Sequence, residues 1–274
     1  MNELAFWYYI RSDLLPHAES PAALGSKFLQ TLDALSRIDP TIFANWEIMD
    51  YPARASLPLA VARPRIAAMI EKNVYRDDLR QPWPKQGYAA GALIIKDDKS
   101  RRISLRIHAG GTKKGDISLR TGEWNVLPDP SIVTYPIFKA ALLAINAIWL
   151  PPWACAYAFR SNTVKVPEIF PGGIQGYSLE RLPLIPSEPT FPASDFHIPW
   201  LAYLSAPLAG GLDLPAEILT ERTPDGGLLM IAAEERLEPT NPEHLRRARI
   251  LAETMIARTG YAPYGKRQPA RSPD

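Results

Sequence analysis

The chain has 274 residues, of which 46% are hydrophobic and 22% are charged, and its formal net charge is +2. This is an ordinary globular composition, long enough for one large domain or two modest ones. Its one cysteine, Cys155, excludes an internal disulfide and a thiolate zinc cluster, and its apolar surroundings predict a buried thiol. The 28 prolines are about twice the usual share, which predicts many stiff, irregular connections.

The first predicted elements are a strand and a long helix. The aromatic stretch Leu4–Arg11 favours a strand. Ser20 and Pro21 then supply an N-cap and a proline at the first helical position. The apolar residues that follow recur at helical spacing and define one face: Leu24, Phe28, Leu32, Leu35 and Ile38.

This helix is expected to end at Asp39, because the proline that follows disfavours helical backbone at the residue before it. Beyond the turn, Phe43 and Trp46 are three residues apart, which favours a second short helix folded back onto the first. The stretch from Lys27 to Trp46 is therefore predicted to form a helix–turn–helix corner.

A third helix over Pro64–Tyr75 and an antiparallel hairpin are predicted next. The strands of the hairpin are Tyr88–Lys96 and Arg101–Ala109. In the second strand, isoleucine and leucine alternate with basic and polar residues, which indicates a half-buried strand with a basic outer face. Ile117–Leu127 is predicted to add a further strand.

The stretch from Ala140 to Phe159 carries no charged residue over twenty positions, which is long enough to cross a bilayer. Pro151-Pro152 interrupts it and would break a spanning helix. The pattern therefore predicts a buried helix over Tyr135–Trp149, a turn, and a buried strand over Trp153–Phe159.

The remaining residues begin with a Pro- and Gly-rich segment, 166–199, which is predicted to be irregular. Trp200–Ser205 favours a strand. Ala216–Arg222 and Leu228–Glu234 then flank a proline, an aspartate and two glycines, which predicts a second hairpin.

Asn241-Pro242 starts a last helix that is expected to run to about Arg258. The whole pattern predicts an α+β fold with a mixed or antiparallel sheet, helices packed on it, and Pro-rich loops. Residues 1–260 are expected to form one domain, or two subdomains over 1–165 and 166–260. A flexible basic tail, 261–274, is expected to follow.

Charge is distributed unevenly along the chain. Residues 168–238 hold eleven acidic residues against three arginines, a local balance of −8. Residues 1–167 carry +6, concentrated at Lys96–Arg120. A run of charge usually marks a solvated face, so this polarity indicates surfaces of opposite sign without assigning them a function.

No catalytic, metal-binding or cofactor-binding motif stands out. The four histidines form no metal-binding spacing, and no glycine pair clearly lies between a strand and a helix as phosphate binding requires. Neither a metal nor a cofactor is therefore expected. Asp195 and His197 could form a hydrolytic site with Ser178 or Ser194, but such a triad is recognised by geometry that the sequence does not give.

The stretch KFLQTLDALSRIDPTIFANW, Lys27–Trp46, resembles the opening helix and turn of the immunity protein 52 family. Five later stretches follow in the order expected of that family: KNVYRDD (Lys72–Asp78), the strand Gly87–Ile95, LPPWA (Leu150–Ala154), PWLAYLS (Pro199–Ser205) and NPEHLRRARIL (Asn241–Leu251). The resemblance runs from the first strand nearly to Arg258, and segment 166–199 is the least similar part.

The resemblance implies a cytoplasmic bacterial protein that is not an enzyme and that binds and neutralises a cognate toxin. For this family the toxin is typically a restriction-endonuclease-like nuclease, here expected to be an effector of type VI secretion. Binding would prevent self-intoxication and protect the cell from toxin delivered by its sisters. The fold implied is one immunity-type α+β domain over residues 1–260.

An inhibitor of this kind needs a surface that fits its toxin. A nuclease cleft is positively charged because it holds phosphates, so an acidic surface would steer and fit it. The hairpin Ala216–Glu238 could supply that surface. The candidate partner-binding residues are Glu217, Glu221, Asp225, Glu234, Glu235 and Glu238, with Trp200 and Tyr203 as aromatic anchors.

Two other functions stay open. One is a small hydrolase with a site in segment 166–199. The other is a nucleic-acid-binding protein that uses the basic face Lys96–Arg120. Against the second, the body of the chain is net neutral, and no aromatic residue alternates with the basic residues before Trp124. Neither a membrane nor a directly bound nucleic acid is therefore expected as a partner.

Overall fold

The computed structural model describes residues 6–122, 126–159, 197–239 and 241–259. The chain divides into two compact units, a larger unit over Tyr8–Ala156 and a smaller unit made of Met1–Trp7 with Tyr157–Asp274. Both units contain helices and antiparallel strands, which confirms the predicted α+β class.

The larger unit is built on an antiparallel sheet. Its described strands are β1 (Trp7–Leu14), β2 (Trp46–Asp50), β3 (Ala55–Pro58), β4 (Tyr88–Ile94), β5 (Ile103–Ala109), β6 (Gly115–Thr121) and β7 (Trp153–Phe159), of which β1 begins and β7 ends in the smaller unit. They lie in the order β3-β2-β4-β5-β6-β1-β7. Strands β4, β5 and β6 form a meander, because each is joined to the next by a short connection.

The helices of the larger unit are α1 (Pro21–Ile38), α2 (Leu59–Ala62), α3 (Ile66–Lys72) and α4 (Tyr135–Trp149). The predicted cap of α1 is confirmed, since the Ser20 hydroxyl accepts a hydrogen bond of 3.2 Å from the backbone N–H of Ala23. The predicted apolar face of α1 is buried from Leu24 to Leu35, and α1 packs against α3 and α4.

The sheet of the larger unit has an inner and an outer face. Side chains of α1, α3 and α4 close over Ile107 and Ala109 of β5 on the inner face. The alternate residues of β5, including Arg106 and His108, point to the opposite face and are at least partly exposed. The predicted basic outer face of this strand is therefore confirmed.

The prediction of a second short helix after α1 is wrong. The Asp39 carboxylate accepts hydrogen bonds of 2.8 and 3.0 Å from the backbone N–H groups two and three residues later, which closes a turn. Asn45 has a φ of 58°, and Trp46 begins β2. Phe43 and Trp46 stack across the turn with ring centroids 6.2 Å apart, so their three-residue spacing reflects aromatic packing and not a helix.

The other predicted elements of the larger unit form, with shifted ends in some cases. The helix α4 and the strand β7 have the predicted bounds, and Cys155 of β7 is a buried free thiol. The predicted third helix ends at Lys72, and a 3₁₀ turn over Arg63–Arg65 precedes it. Within residues 6–122, 126–159, 197–239 and 241–259, no helix is both long enough and apolar enough to cross a membrane.

The smaller unit contains β8 (His197–Leu204), α5 (Ala206–Ala209), β9 (Leu219–Arg222), β10 (Leu228–Ile231) and α6 (Pro242–Thr259). Its strands lie in the antiparallel order β8-β10-β9, and α6 packs against β8. The predicted hairpin and last helix are therefore confirmed. The predictions for Ser178, Ser194, Asp195, the side chain of His197 and the tail 261–274 fall outside the described residues.

Candidate functional site

The two predicted aromatic anchors lie in the core of the smaller unit and present no surface. Trp200 is 0% exposed and Tyr203 is 2% exposed, because β8 is buried on both faces from Ile198 to Leu204. The Trp200 indole donates a hydrogen bond of 2.9 Å to the backbone carbonyl of Ala233. The Tyr203 hydroxyl donates to the Asp225 carboxylate. Trp200 therefore holds the backbone next to Glu234, and Tyr203 holds the Asp225 side chain; their burial corrects the prediction that they are surface anchors.

Within the described residues of the smaller unit, acidic residues are most closely spaced in Glu234–Glu238, called the acidic segment below. The carboxylate of Glu235 is 71% exposed, and Glu234 is also exposed. Between these residues and Glu238, the side chain of Leu237 is fully buried. The segment thus presents carboxylates to solvent while one of its own side chains is fixed in the core.

His244, in the first turn of α6, forms hydrogen bonds with two residues of the acidic segment. Its side chain is 6% exposed. Its Nδ1 accepts a hydrogen bond of 3.0 Å from the backbone N–H of Glu238, so the ring proton of the neutral form is on Nε2. That Nε2 lies 2.8 Å from Oε1 of Glu235 and donates to it. One imidazole therefore fixes both a backbone and a carboxylate position.

Sequence reasoning gave His244 no role, although a signal was present. His244 occupies the same helical face as the buried residues Ala248, Leu251 and Met255, which follow it at spacings of four, seven and eleven. A histidine on an apolar face is buried and requires polar partners. The sequence does not show which residues those partners are.

Cations of the smaller unit offset part of the acidity that the sequence predicts. Arg246 of α6 forms ion pairs with Glu217 and, at 2.7 Å, with Glu243. Arg236 pairs with Glu238 through a hydrogen bond of 2.7 Å. Arg236 is already counted in the −8 balance, whereas Arg246 lies outside it and lowers the charge that a partner would meet. Within the described ranges, Glu234 and Glu235 remain as two adjacent exposed carboxylates.

The turn between β9 and β10 uses Asp225 as an internal hydrogen-bond acceptor. Its carboxylate accepts from the hydroxyls of Thr223 and Tyr203 and, at 3.3 Å, from the backbone N–H of Gly227. Partial burial by itself would raise the pKa of Asp225. The hydrogen bonds from Thr223 and Tyr203 favour the charged carboxylate, and they hold the pKa below its ordinary value. The remaining candidate, Glu221, lies on β9 and is partly exposed.

Asp225→Asn is expected to reduce the loss of stability in acid. Because the pKa of Asp225 is lower in the folded protein, the unfolded chain binds this proton more readily. The stability that the charged Asp225 contributes is therefore fully present above about pH 4 and is lost as the pH falls below that value. The free energy of unfolding in urea, measured between about pH 6 and about pH 3, should fall less steeply in the variant. Parallel pH profiles for the two proteins would show that Asp225 has no part in this loss.

The predicted basic surface is also present, on the outer face of the larger unit. Arg106 and His108 of β5 share that face with Arg120 of β6, and Lys113 and Lys114 are exposed in the turn between the strands. The described ranges hold no group of three histidine, cysteine, aspartate or glutamate side chains that could bind a metal ion. The described residues thus present a basic surface on the larger unit and an acidic surface on the smaller unit.

Comparisons with known proteins do not assign the chain to a family. No family model matches it, and no curated protein matches it. Among solved structures, a type VI secretion (T6SS) protein of Pseudomonas aeruginosa has a TM-score of 0.48 and 14% sequence identity, covering 96% of this chain and 75% of that one. These values are too low for the likeness to decide the fold or the function of this chain.

Proposed function

We propose that this protein is an immunity protein that binds and neutralises a cognate bacterial nuclease toxin delivered by type VI secretion, and thereby prevents self-intoxication. The observation that carries the proposal is the acidic segment, in which exposed carboxylates lie on backbone that is fixed by Trp200, Leu237 and His244. The stretches that resemble the immunity protein 52 family add support from the sequence.

Inhibition by this segment requires no catalytic group. The positive cleft of a nuclease binds phosphates, and carboxylates held at fixed positions would occupy the same cationic sites. Because the backbone is already ordered by its hydrogen bonds to the core, binding costs little additional conformational entropy. The acidic segment would therefore exclude the nucleic-acid substrate by taking its place.

The test is to co-purify the protein with the nuclease encoded beside it, and to measure their affinity and the nuclease activity across salt. We expect stoichiometric association that weakens with salt and abolishes nuclease activity, since surface charges are screened by ions. The triple variant Glu221→Lys, Glu234→Lys and Glu235→Lys should bind about 100-fold more weakly, because like charges then face each other.

A matched control carries the same change of charge on exposed residues of the larger unit: Glu71→Lys, Asp78→Lys and Asp97→Lys. It should retain the wild-type affinity to within about threefold. The single variant Glu234→Lys leaves the contact between His244 and Glu235 intact, so its effect separates charge from folding. Unchanged affinity in the triple variant, or an equal loss in the control, would show that the acidic segment does not bind the toxin.

A further inference from the structure

The outer face of the larger unit carries three arginines at neighbouring register positions. Arg11 of β1 lies opposite Ser118 of β6, and Ser118 lies opposite Arg106 of β5. Arg120 occupies the next outward position of β6. Directly opposed residues have their Cβ atoms about 5 Å apart, and diagonal neighbours are about 7–8 Å apart. The three arginine positions thus flank Ser118, a small residue that is itself buried.

Two of these arginines are available to bind an anion. Arg106 and Arg120 are exposed, and neither forms a hydrogen bond or an ion pair with any residue in the described part of the chain. Arg120 stacks over the ring of Tyr9, with its Cζ atom 5.9 Å from the centroid, and this leaves its N–H groups able to donate. Arg11 differs, because its Nε donates to Asp13 at 2.9 Å.

Two tyrosines from distant segments complete this face. Gly91 of β4 lies opposite Arg106, and a Cβ atom at Gly91 would be 3.2 Å from Cζ of Tyr51. The Tyr51 ring therefore lies against the sheet beside Arg106, because residue 91 has no side chain. The Tyr75 ring contacts His108 edge to face, with the ring centroids 5.4 Å apart.

The tyrosines add no negative charge to this face, and on β1, β5 and β6 its two carboxylates, Asp13 and Asp116, are outnumbered by its three arginines. Burial, with further contributions from Asp116 and Tyr51, raises the pKa of Tyr75 to about 12, so its phenol stays neutral under physiological conditions. The Asp116 carboxylate lies 3.0 Å from Nδ1 of His108, and Asp13 accepts from Arg11. The net charge of the exposed groups is therefore positive.

We propose that this face binds single-stranded nucleic acid, with phosphates on Arg106 and Arg120 and bases stacked on Tyr51 and Tyr75. A positively charged surface that also carries aromatic rings can bind a single strand, because cations attract its phosphates and every base can stack on a ring. Base stacking on an exposed sheet face is a recognised mode of single-strand binding. This site does not depend on the proposed toxin-binding surface, which belongs to the other unit and has the opposite charge.

The test uses fluorescein-labelled single-stranded RNA and DNA of about twenty nucleotides, with binding followed by anisotropy across salt. Two phosphate contacts predict a slope of log affinity against log salt of about −1.4. Arg106→Glu with Arg120→Glu should weaken binding at least about 30-fold and abolish the slope. Tyr51→Ala and Tyr75→Ala should each weaken binding about tenfold.

The matched control is Arg37→Glu with Arg65→Glu, which makes the same change of charge at exposed positions in and beside the helices that cover the inner face. The proposal is supported if this control binds the oligonucleotides with an affinity within about threefold of the wild type. An equal loss in both double variants would show attraction by overall charge only and would overturn it. Absence of wild-type binding at low salt, or equal binding of duplex, would also overturn it.

Circular dichroism verifies that each variant folds, and Arg106→Gln with Arg120→Gln gives a milder substitution if the glutamates do not. The same variants should bind the toxin with unchanged affinity. Loss of toxin binding without any oligonucleotide binding would assign this face to a protein partner and overturn the nucleic-acid proposal. The acidic-segment variants should conversely leave oligonucleotide binding unchanged, so the two proposals fail separately.

Discussion

Trp200→Ala is expected to lower the free energy of unfolding by about 3–5 kcal/mol. The Trp200 side chain is 0% exposed, so its removal leaves a large cavity in the core beside β8. It also removes the indole N–H that donates to the carbonyl of Ala233, and so releases the backbone immediately before the acidic segment. Urea unfolding gives the free energy, and amide hydrogen exchange at Ala233–Glu238 should report the released segment.

Trp83→Ala is the matched control, because Trp83 is 41% exposed and loses the same side chain. Its effect on the free energy of unfolding should stay below about 1 kcal/mol. The pair distinguishes the two roles considered for Trp200. If Trp200→Ala left stability unchanged but weakened toxin binding, Trp200 would be a surface anchor, and the burial described here would be wrong.

Gly87→Ala is expected to destabilise the protein by about 3 kcal/mol or more. Gly87 has φ of 101° and ψ of −157°, a backbone conformation that is essentially restricted to glycine. A Cβ atom there would also lie 2.5 Å from the backbone oxygen of Ala109 and 3.0 Å from the backbone nitrogen of Gly111. These neighbours are backbone atoms at the end of β5 and in the connection that follows it, so they have little freedom to move.

Gly211→Ala provides the control for the conformational part of this effect. Gly211 also has a positive φ, of 64°, but no atom lies within 4 Å of the position its Cβ would take. Gly211→Ala should therefore lower the free energy of unfolding by about 1–2 kcal/mol. Equal losses of stability in urea for the two variants would show that the close approach at Gly87 contributes nothing. Because Gly87 accepts a backbone hydrogen bond from Tyr75, Gly87→Ala should also weaken oligonucleotide binding.

Much of the fold could be predicted from local signals in the sequence. The cap at Ser20 and the apolar spacing from Leu24 fix α1, because a helix is stabilised by contacts within a few residues. The alternation along β5 gives its inner and outer faces for the same reason. The helix wrongly predicted after α1 shows the limit, since a spacing of three residues does not distinguish a helical turn from two rings stacked across a loop.

The candidate site was predicted in outline only. The sequence places carboxylates around the β9–β10 hairpin, but its local balance of −8 over residues 168–238 takes no account of cations that lie elsewhere in the chain. Arg236, which pairs with Glu238, is already included in that balance, whereas Arg246, which pairs with Glu217, lies outside it and lowers the charge. One of these pairs joins the hairpin region to α6, a contact that no local pattern encodes.

By itself, the sequence determined the α+β class, most of the elements and the separation of acidic from basic stretches, because these depend on composition and on neighbours along the chain. Only the tertiary structure decided that Trp200 is buried and that His244 fixes the acidic segment. It also decided that Tyr51 and Tyr75 lie on the basic face. Burial and side-chain contact depend on residues that are distant in the chain and close in space. The aromatic rings that the basic stretch lacks in sequence are supplied in this way by two other segments.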